Sequence, residues 1–134
     1  MLIQTEGLNL LTDPVWSERA SPFRFAGPHR FHPPGISFDD LPPIDAIVIS
    51  HNHYDHTDLP TLKRLMERHP ARLFVPLGVE HLVRDAGIEN VEASDWWQIF
   101  DLGQGRILHG IPAQHFSSRG LFDRDRTLWM GWAL

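Results

Sequence analysis

Apolar and polar positions fall into short segments that name most elements of the chain. Leu2-Ile3-Gln4 and Leu8-Asn9-Leu10-Leu11 flank Thr5-Glu6-Gly7, a glycine-containing turn between apolar stretches, and predict a β-hairpin ended by Asp13-Pro14. From Val15 to Pro43 the prolines Pro22, Pro28, Pro33, Pro34, Pro42 and Pro43 break any sustained period. A long irregular loop is expected there, of the kind that is usually functional or disordered. Ala46-Ile47-Val48-Ile49 is a continuous β-rich apolar run bounded by Asp45 and Ser50, as for a strand buried on both faces.

Asp58 is placed to cap a helix over Leu59 to about Arg68. Pro60 is tolerated in its first turn, and Leu62, Leu65 and Met66 form one apolar face. Leu73-Phe74-Val75 reads as the following strand, completing a β-α-β crossover. Val79 to Ala86 reads as a short helix stopped by Gly87. Trp97 to Leu102, Arg106 to Ile111 and Thr127 to Ala133 are expected to be three further strands, the first pair joined through Gly103-Gln104-Gly105. The fold class is α/β with strand-rich ends.

Composition narrows this picture. The 134 residues have room for one domain and one core, with no repeat, low-complexity tract or linker to divide them. A net charge of −5 argues against a nucleic-acid partner held by phosphate contacts. Without cysteine, a metal must be held by nitrogen and oxygen. No apolar run approaches the roughly 20 residues of a membrane span, and Met1 leads at once into strand-like sequence. The expected setting is cytoplasmic, with peripheral membrane contact left open.

The candidate chemistry lies after the buried strand. Ser50-His51-Asn52-His53-Tyr54-Asp55-His56 carries three histidines and an aspartate in the spacing H-x-H-x-D-H. Imidazole and carboxylate are ligands for zinc or a similar divalent ion, and one short turn assembles them at low entropic cost. Open α/β sheets place their sites at such carboxyl ends of strands. His51 and His53, two apart on extended backbone, point to one side and can share an ion. Asp55 and His56 follow where the chain turns and can reach a second, and paired ions of this kind generate hydroxide at neutral pH for hydrolysis. His115, after the strand Arg106 to Ile111, is the candidate third imidazole for the first ion. Asp45 and Ser50 are candidates for supporting those ligands from behind.

His51-Asn52-His53-Tyr54-Asp55-His56 after a buried strand, with a later lone histidine, resembles the metallo-β-lactamase superfamily. Leu11-Thr12-Asp13-Pro14-Val15-Trp16-Ser17, Arg19-Ala20-Ser21-Pro22, Leu41-Pro42-Pro43-Ile44-Asp45, Phe74-Val75-Pro76-Leu77-Gly78, Asp95-Trp96-Trp97 and Pro112-Ala113-Gln114-His115 resemble its branch of N-acyl-phosphatidylethanolamine-hydrolysing phospholipases D. The resemblance covers nearly the whole chain. It implies an αβ/βα sandwich with two zinc ions, His51, His53 and His115 holding one, and Asp55 and His56 the other. Asp55 would also orient the attacking hydroxide. The implied reaction is phosphodiester hydrolysis of N-acyl phosphatidylethanolamine-like phospholipids. A carboxyl-ester or lactone hydrolase on the same metals is the alternative within enzymes, and a metal-binding half-domain without activity of its own is the alternative outside them. The family pattern adds a bridging aspartate in a Gly-Asp-Thr-Gly-like turn and a final histidine. No aspartate follows Asp125 and no histidine follows His115, so residues 1–134 are expected to be an N-terminal half, truncated at both ends.

Plainer readings compete for several residues. The His51–His56 segment could be a polar turn capping a strand, and His115 an ordinary loop histidine. His29, His32, His69, His81 and His109 lack a partner pattern and read as surface or satisfied core histidines. Arg19, Arg24, His29 and Arg30 alternate with Trp16, Phe23, Phe25 and Phe31 and could form a cationic, apolar lip for a phosphate-bearing lipid. The favoured reading of that loop is a covering segment, with aromatics buried and arginines solvated. Trp96-Trp97 reads as core, and Asp39-Asp40 as a solvated turn, although a carboxylate pair could bind metal.

Overall fold

The computed structural model describes residues 1–23 and 25–134. Strands β1 (Leu2–Thr5) and β2 (Leu8–Thr12) form the expected hairpin, with Thr5 opposite Leu8. The turn between them needs positive φ twice, and Glu6 at 46° and Gly7 at 79° supply it, the twist that suits a two-residue hairpin. Strand β3 (Ala46–Val48) joins β2 in parallel, β4 (Arg72–Pro76) joins β3, and β5 (Glu92–Ser94) joins β4, giving a five-stranded sheet ordered β1-β2-β3-β4-β5. Helix α1 (Leu59–Arg68) crosses from β3 to β4, and α2 (Val79–Asp85) from β4 to β5. A second, antiparallel sheet holds β6 (Ile99–Gly103), β7 (Arg106–Ile111) and β8 (Gly131–Ala133).

Alternation along the central strands builds two cores. Ile47, Ile49, Leu73 and Val75 face α1 and α2, packing on Leu62, Leu65, Val79 and Val83. Ala46, Val48 and Phe74 point the other way, onto Phe100 and Leu108 of the second sheet. A strand buried on both faces is therefore apolar at every position, which is why β3 reads so clearly. The layers run helix, sheet, sheet, the architecture expected of half an αβ/βα sandwich.

Several expectations need correction. The sequence signal missed β5, because Glu92-Ala93-Ser94 has no apolar run; it forms by pairing with β4. The strand expected over Thr127–Ala133 shrinks to Gly131–Ala133, since Leu128 and Met130 donate instead to the carbonyls of Leu77 and Ser50. Strand β6 starts late because Trp97 has φ of 69°, and Trp97 is 72 % exposed, not core.

In the Val15–Pro43 loop the favoured burial pattern is inverted. Phe23, Phe25 and Phe31 are exposed, while Arg30 donates to the carbonyls of Val15 and Ser17, and Arg19 to that of Gly27. The loop is thus held by polar staples to its own backbone; of its named aromatics only Trp16 packs inward, edge-on to Phe38. Arg24 lies outside the described residues. Asp39 pairs with Arg64 and Arg68 of α1.

Candidate metal centre

The chain leaves β3 at Ser50 and turns back on itself. Thr57 and His56 both donate their amides to the carbonyl of His53, a tight turn that carries Asp55 and His56 around from His51 and His53. Thr57 Oγ1 donates to the His51 carbonyl and Asp58 then caps α1, accepting from Thr61, so the turn ends on a fixed helix. His115 arrives from the other sheet, on the segment that follows β7.

These elements bring three imidazoles to one point. His51 Nε2 lies 2.9 Å from His53 Nδ1 and 3.1 Å from His115 Nε2, and the three donor nitrogens fall within 4.8 Å of one another. Ligands about 2.0–2.1 Å from zinc in a tetrahedral shell sit roughly 3.3 Å apart, so this spacing fits a shared ion. Three close imidazoles cannot all be cationic. Burial, and the neighbouring His56, His53 and His115, push the His51 pKa down to about 4, and burial with His115 lowers that of His53. Both therefore present lone pairs at neutral pH, as a metal requires.

Asp13 fixes which nitrogen is free. Its carboxylate accepts from Ser50 N at 2.7 Å and from Ser50 Oγ at 2.7 Å. With its hydrogen committed to Asp13, Ser50 Oγ accepts from His51 Nδ1–H at 2.8 Å, which leaves His51 Nε2 bare. The same carboxylate takes His56 Nδ1–H at 2.9 Å, raising the His56 pKa and leaving His56 Nε2 facing Asp55 Oδ2 at 3.6 Å. Asp55, two-thirds exposed, and His56 lie outside the cluster of three donor nitrogens, although the His56 ring lies against that of His51 at 4.1 Å between centroids. Of the two expected supporting residues, Ser50 is at the site. Asp45 is at the opposite end of β3, accepting from Asn9 N.

Asp13 is read from sequence as the end of the hairpin and as part of the Leu11–Ser17 stretch that carries the family resemblance, without a role at the site. What brings it to the site is the parallel pairing of β2 with β3: Asp13 N donates to the Val48 carbonyl, one step beyond the last paired residues. Its φ of 42° turns the side chain's attachment out of the strand, a conformation aspartate tolerates. Beside this corner, a cavity of about 800 Å³ runs under the Val15–Pro43 loop from Asp13 and Asp55 to Leu2, Leu11, Trp16 and Ile36.

Residues 8–134 match the family model described as the beta-lactamase superfamily domain. The chain is 39 % identical over 143 aligned residues to N-acyl-phosphatidylethanolamine-hydrolyzing phospholipase D 1 of Caenorhabditis elegans, covering 100 % of this chain and 40 % of that protein. It is 31 % identical to the mitochondrial N-acyl-phosphatidylethanolamine-hydrolyzing phospholipase D of Saccharomyces cerevisiae, covering 96 % of this chain and 28 % of the yeast protein. Among solved structures, CmlA, a diiron β-hydroxylase from Streptomyces venezuelae, superposes with a TM-score of 0.64 at 26 % identity, over 98 % of this chain and 24 % of that one. A metallo hydrolase from Ignicoccus hospitalis shares the fold, with a TM-score of 0.64 at 17 % identity, over 98 % of this chain and 49 % of its own. The chain spans less than half the length of each of these proteins.

Proposed function

The chain belongs to the β-lactamase superfamily, and on that premise we propose that it is the metal-binding half of a zinc-dependent phosphodiesterase acting on N-acyl phosphatidylethanolamine-like phospholipids. His51, His53 and His115 hold one ion, and Asp55 and His56 contribute to a second. The observation that carries this reading is the convergence of three imidazole nitrogens with Asp13 and Ser50 committing His51 to its Nδ1–H form. Zinc bound there supplies Lewis acidity toward phosphoryl oxygens and a water of lowered pKa. Asp13 keeps the Nδ1 protons of His51 and His56 away from the metal side. In this reading Asp55, two-thirds exposed, orients the attacking water.

Substrate class is supported by the two phospholipase D relatives and by the cavity that begins at Asp13 and Asp55 and continues along apolar side chains. The histidines open onto a second, smaller cavity of about 290 Å³ lined by His51, His56, His115 and Trp129. This reading therefore puts the acyl chain under the loop and the headgroup between the two cavities, at the Asp13–Asp55 corner. The reading includes a cytoplasmic setting with peripheral membrane contact; among the described residues no helix is long and apolar enough to cross a membrane.

The test is metal content and turnover of the intact protein beside His51→Ala. Plasma mass spectrometry counts zinc and also iron, since the solved relative CmlA is a diiron protein. The expected result is bound metal and phosphodiester cleavage exceeding carboxyl-ester or lactone cleavage, both lost in the variant. Normal turnover by His51→Ala would overturn the assignment of the site, and preference for esters or lactones would overturn the substrate.

A further inference from the structure

His115 is separated from His51 by 64 positions and is itself exposed, on a segment outside both sheets. Something must hold that segment against the His51–His56 turn. Arg119 does so from four residues beyond His115. Its Nη1 donates to the carbonyls of Asn52 and Thr57, both at 2.9 Å, so one guanidinium nitrogen bridges the two ends of the turn that carries His53, Asp55 and His56. The guanidinium lies over the Tyr54 ring at 3.8 Å, pressing on the middle of the same turn. The tie is reciprocated, because the buried Asn52 side chain accepts the Ser118 amide at 2.9 Å.

The arginine's own backbone is anchored. Asp123 accepts the amides of Arg119 at 3.0 Å and Gly120 at 2.7 Å, while buried Ser117 donates to the Thr127 carbonyl at 2.7 Å. From the histidine side, the Phe116 ring contacts His53 at 4.8 Å between centroids. His115 therefore reaches His51 from a hooked loop whose fixed points are Ser117, Ser118 and Arg119.

We propose that Arg119, with Asn52 as its reciprocal tie, is a positioning residue that sets the distance between His115 and the His51/His53 pair and so pre-organises the three-imidazole site. This rests on the metal-site reading above. A ligand trio drawn from two loops must either be held in place beforehand or bear the ordering cost when metal binds. Arg119 touches none of the three donor nitrogens. It acts through the carbonyls and the ring of the turn, and its loss leaves the Asn52 and Thr57 carbonyls without that donor.

The experiment measures zinc affinity of the intact protein by competition with a chromophoric chelator, and the ligand-field spectrum of the cobalt(II) form. Wild type is compared with Arg119→Ala, Arg119→Lys, Asn52→Ala and His51→Ala, and the unfolding temperature of each metal-free protein is recorded. Arg119→Ala should weaken zinc binding about 10–100-fold and alter the cobalt bands. Arg119→Lys should recover part of that loss, since an ammonium can serve both carbonyls but not stack as a plane on Tyr54. Asn52→Ala should also weaken binding, and the double variant Asn52→Ala/Arg119→Ala, measured alongside, should lose less than the two single losses combined.

Wild-type affinity and an unaltered cobalt spectrum in Arg119→Ala would overturn the proposal, even if its unfolding temperature fell. If Arg119→Ala does not fold, Arg119→Lys and Asn52→Ala take its place, and wild-type values in both would overturn the proposal equally. Should the wild type bind no metal, or His51→Ala bind it normally, the metal-site reading fails first and this proposal with it.

Discussion

At Asp13 one carboxylate decides the state of two imidazoles. It takes the Ser50 hydroxyl hydrogen and the His56 Nδ1 proton, so that both His51 and His56 turn Nε2 outward. Asp13→Asn tests this with little steric change, because asparagine also accepts positive φ. Its amide nitrogen offers a donor where His56 needs an acceptor, so zinc affinity should fall roughly 10–100-fold. The sign of the His56 shift follows too. Hydrogen bonding to Asp13 is the largest cause raising the His56 pKa. Asp13→Asn removes that cause, so in metal-free protein His56 should titrate at lower pH than in wild type, as read by NMR of its ring protons. An unchanged or higher His56 pKa would mean that Asp13 does not set this proton.

Helix α1 shows how an element joins distant chain to the site. Asp58 is legible in the sequence as a cap, and its Oδ1 does accept the Thr61 amide, at 3.5 Å, while Oδ2 takes the Thr61 hydroxyl at 2.6 Å. What could not be read is that the same buried carboxylate also accepts the amides of Trp16 and Ser17 and the Ser17 hydroxyl, from 41 and 42 positions earlier. Magnitudes separate the two roles. A lost cap costs about 1 kcal/mol, whereas each amide left unsatisfied adds roughly 1–3 kcal/mol. The Trp16 amide keeps Thr61 Oγ1 at 3.0 Å as an acceptor, so Asp58→Ala orphans the Ser17 amide. The substitution should lower unfolding free energy by about 2–4 kcal/mol, measured from urea midpoints, and a loss near 1 kcal/mol would reduce Asp58 to a cap alone. The same division runs through the whole molecule. Elements with a period or an apolar run of their own, such as β3, α1 and β7, were legible, and so was the H-x-H-x-D-H turn. Strand β5, the place of Asp13 beside Ser50, and the reach of Arg119 to Asn52 and Thr57 depend on partners far along the chain, and no local pattern announces them.

Across the molecule, burial and charge point in different directions around the site. The loop expected to bury its aromatics leaves Phe25 at 82 % and Phe31 at 97 % exposed, and the segment beyond His115 leaves Phe122 at 85 %. Its prominent cations are meanwhile turned inward onto carbonyls, and the chain as a whole carries a net charge of −5. A membrane bound through these features would be held by inserted rings, with electrostatics opposing contact with anionic lipid. The protein should accordingly bind vesicles of phosphatidylcholine, and bind less well as an anionic lipid is mixed in. Burying a phenylalanine side chain contributes at least about 1.5 kcal/mol, and about 1.4 kcal/mol is tenfold in a partition constant. Phe25→Ser, Phe31→Ser and Phe122→Ser should each lower vesicle binding roughly tenfold in a sedimentation assay, while zinc content and unfolding temperature stay at wild-type values. Absence of wild-type binding, or equal binding by the three variants, would rule out a membrane held by these rings. They would then have to be assigned to contact with other protein surface.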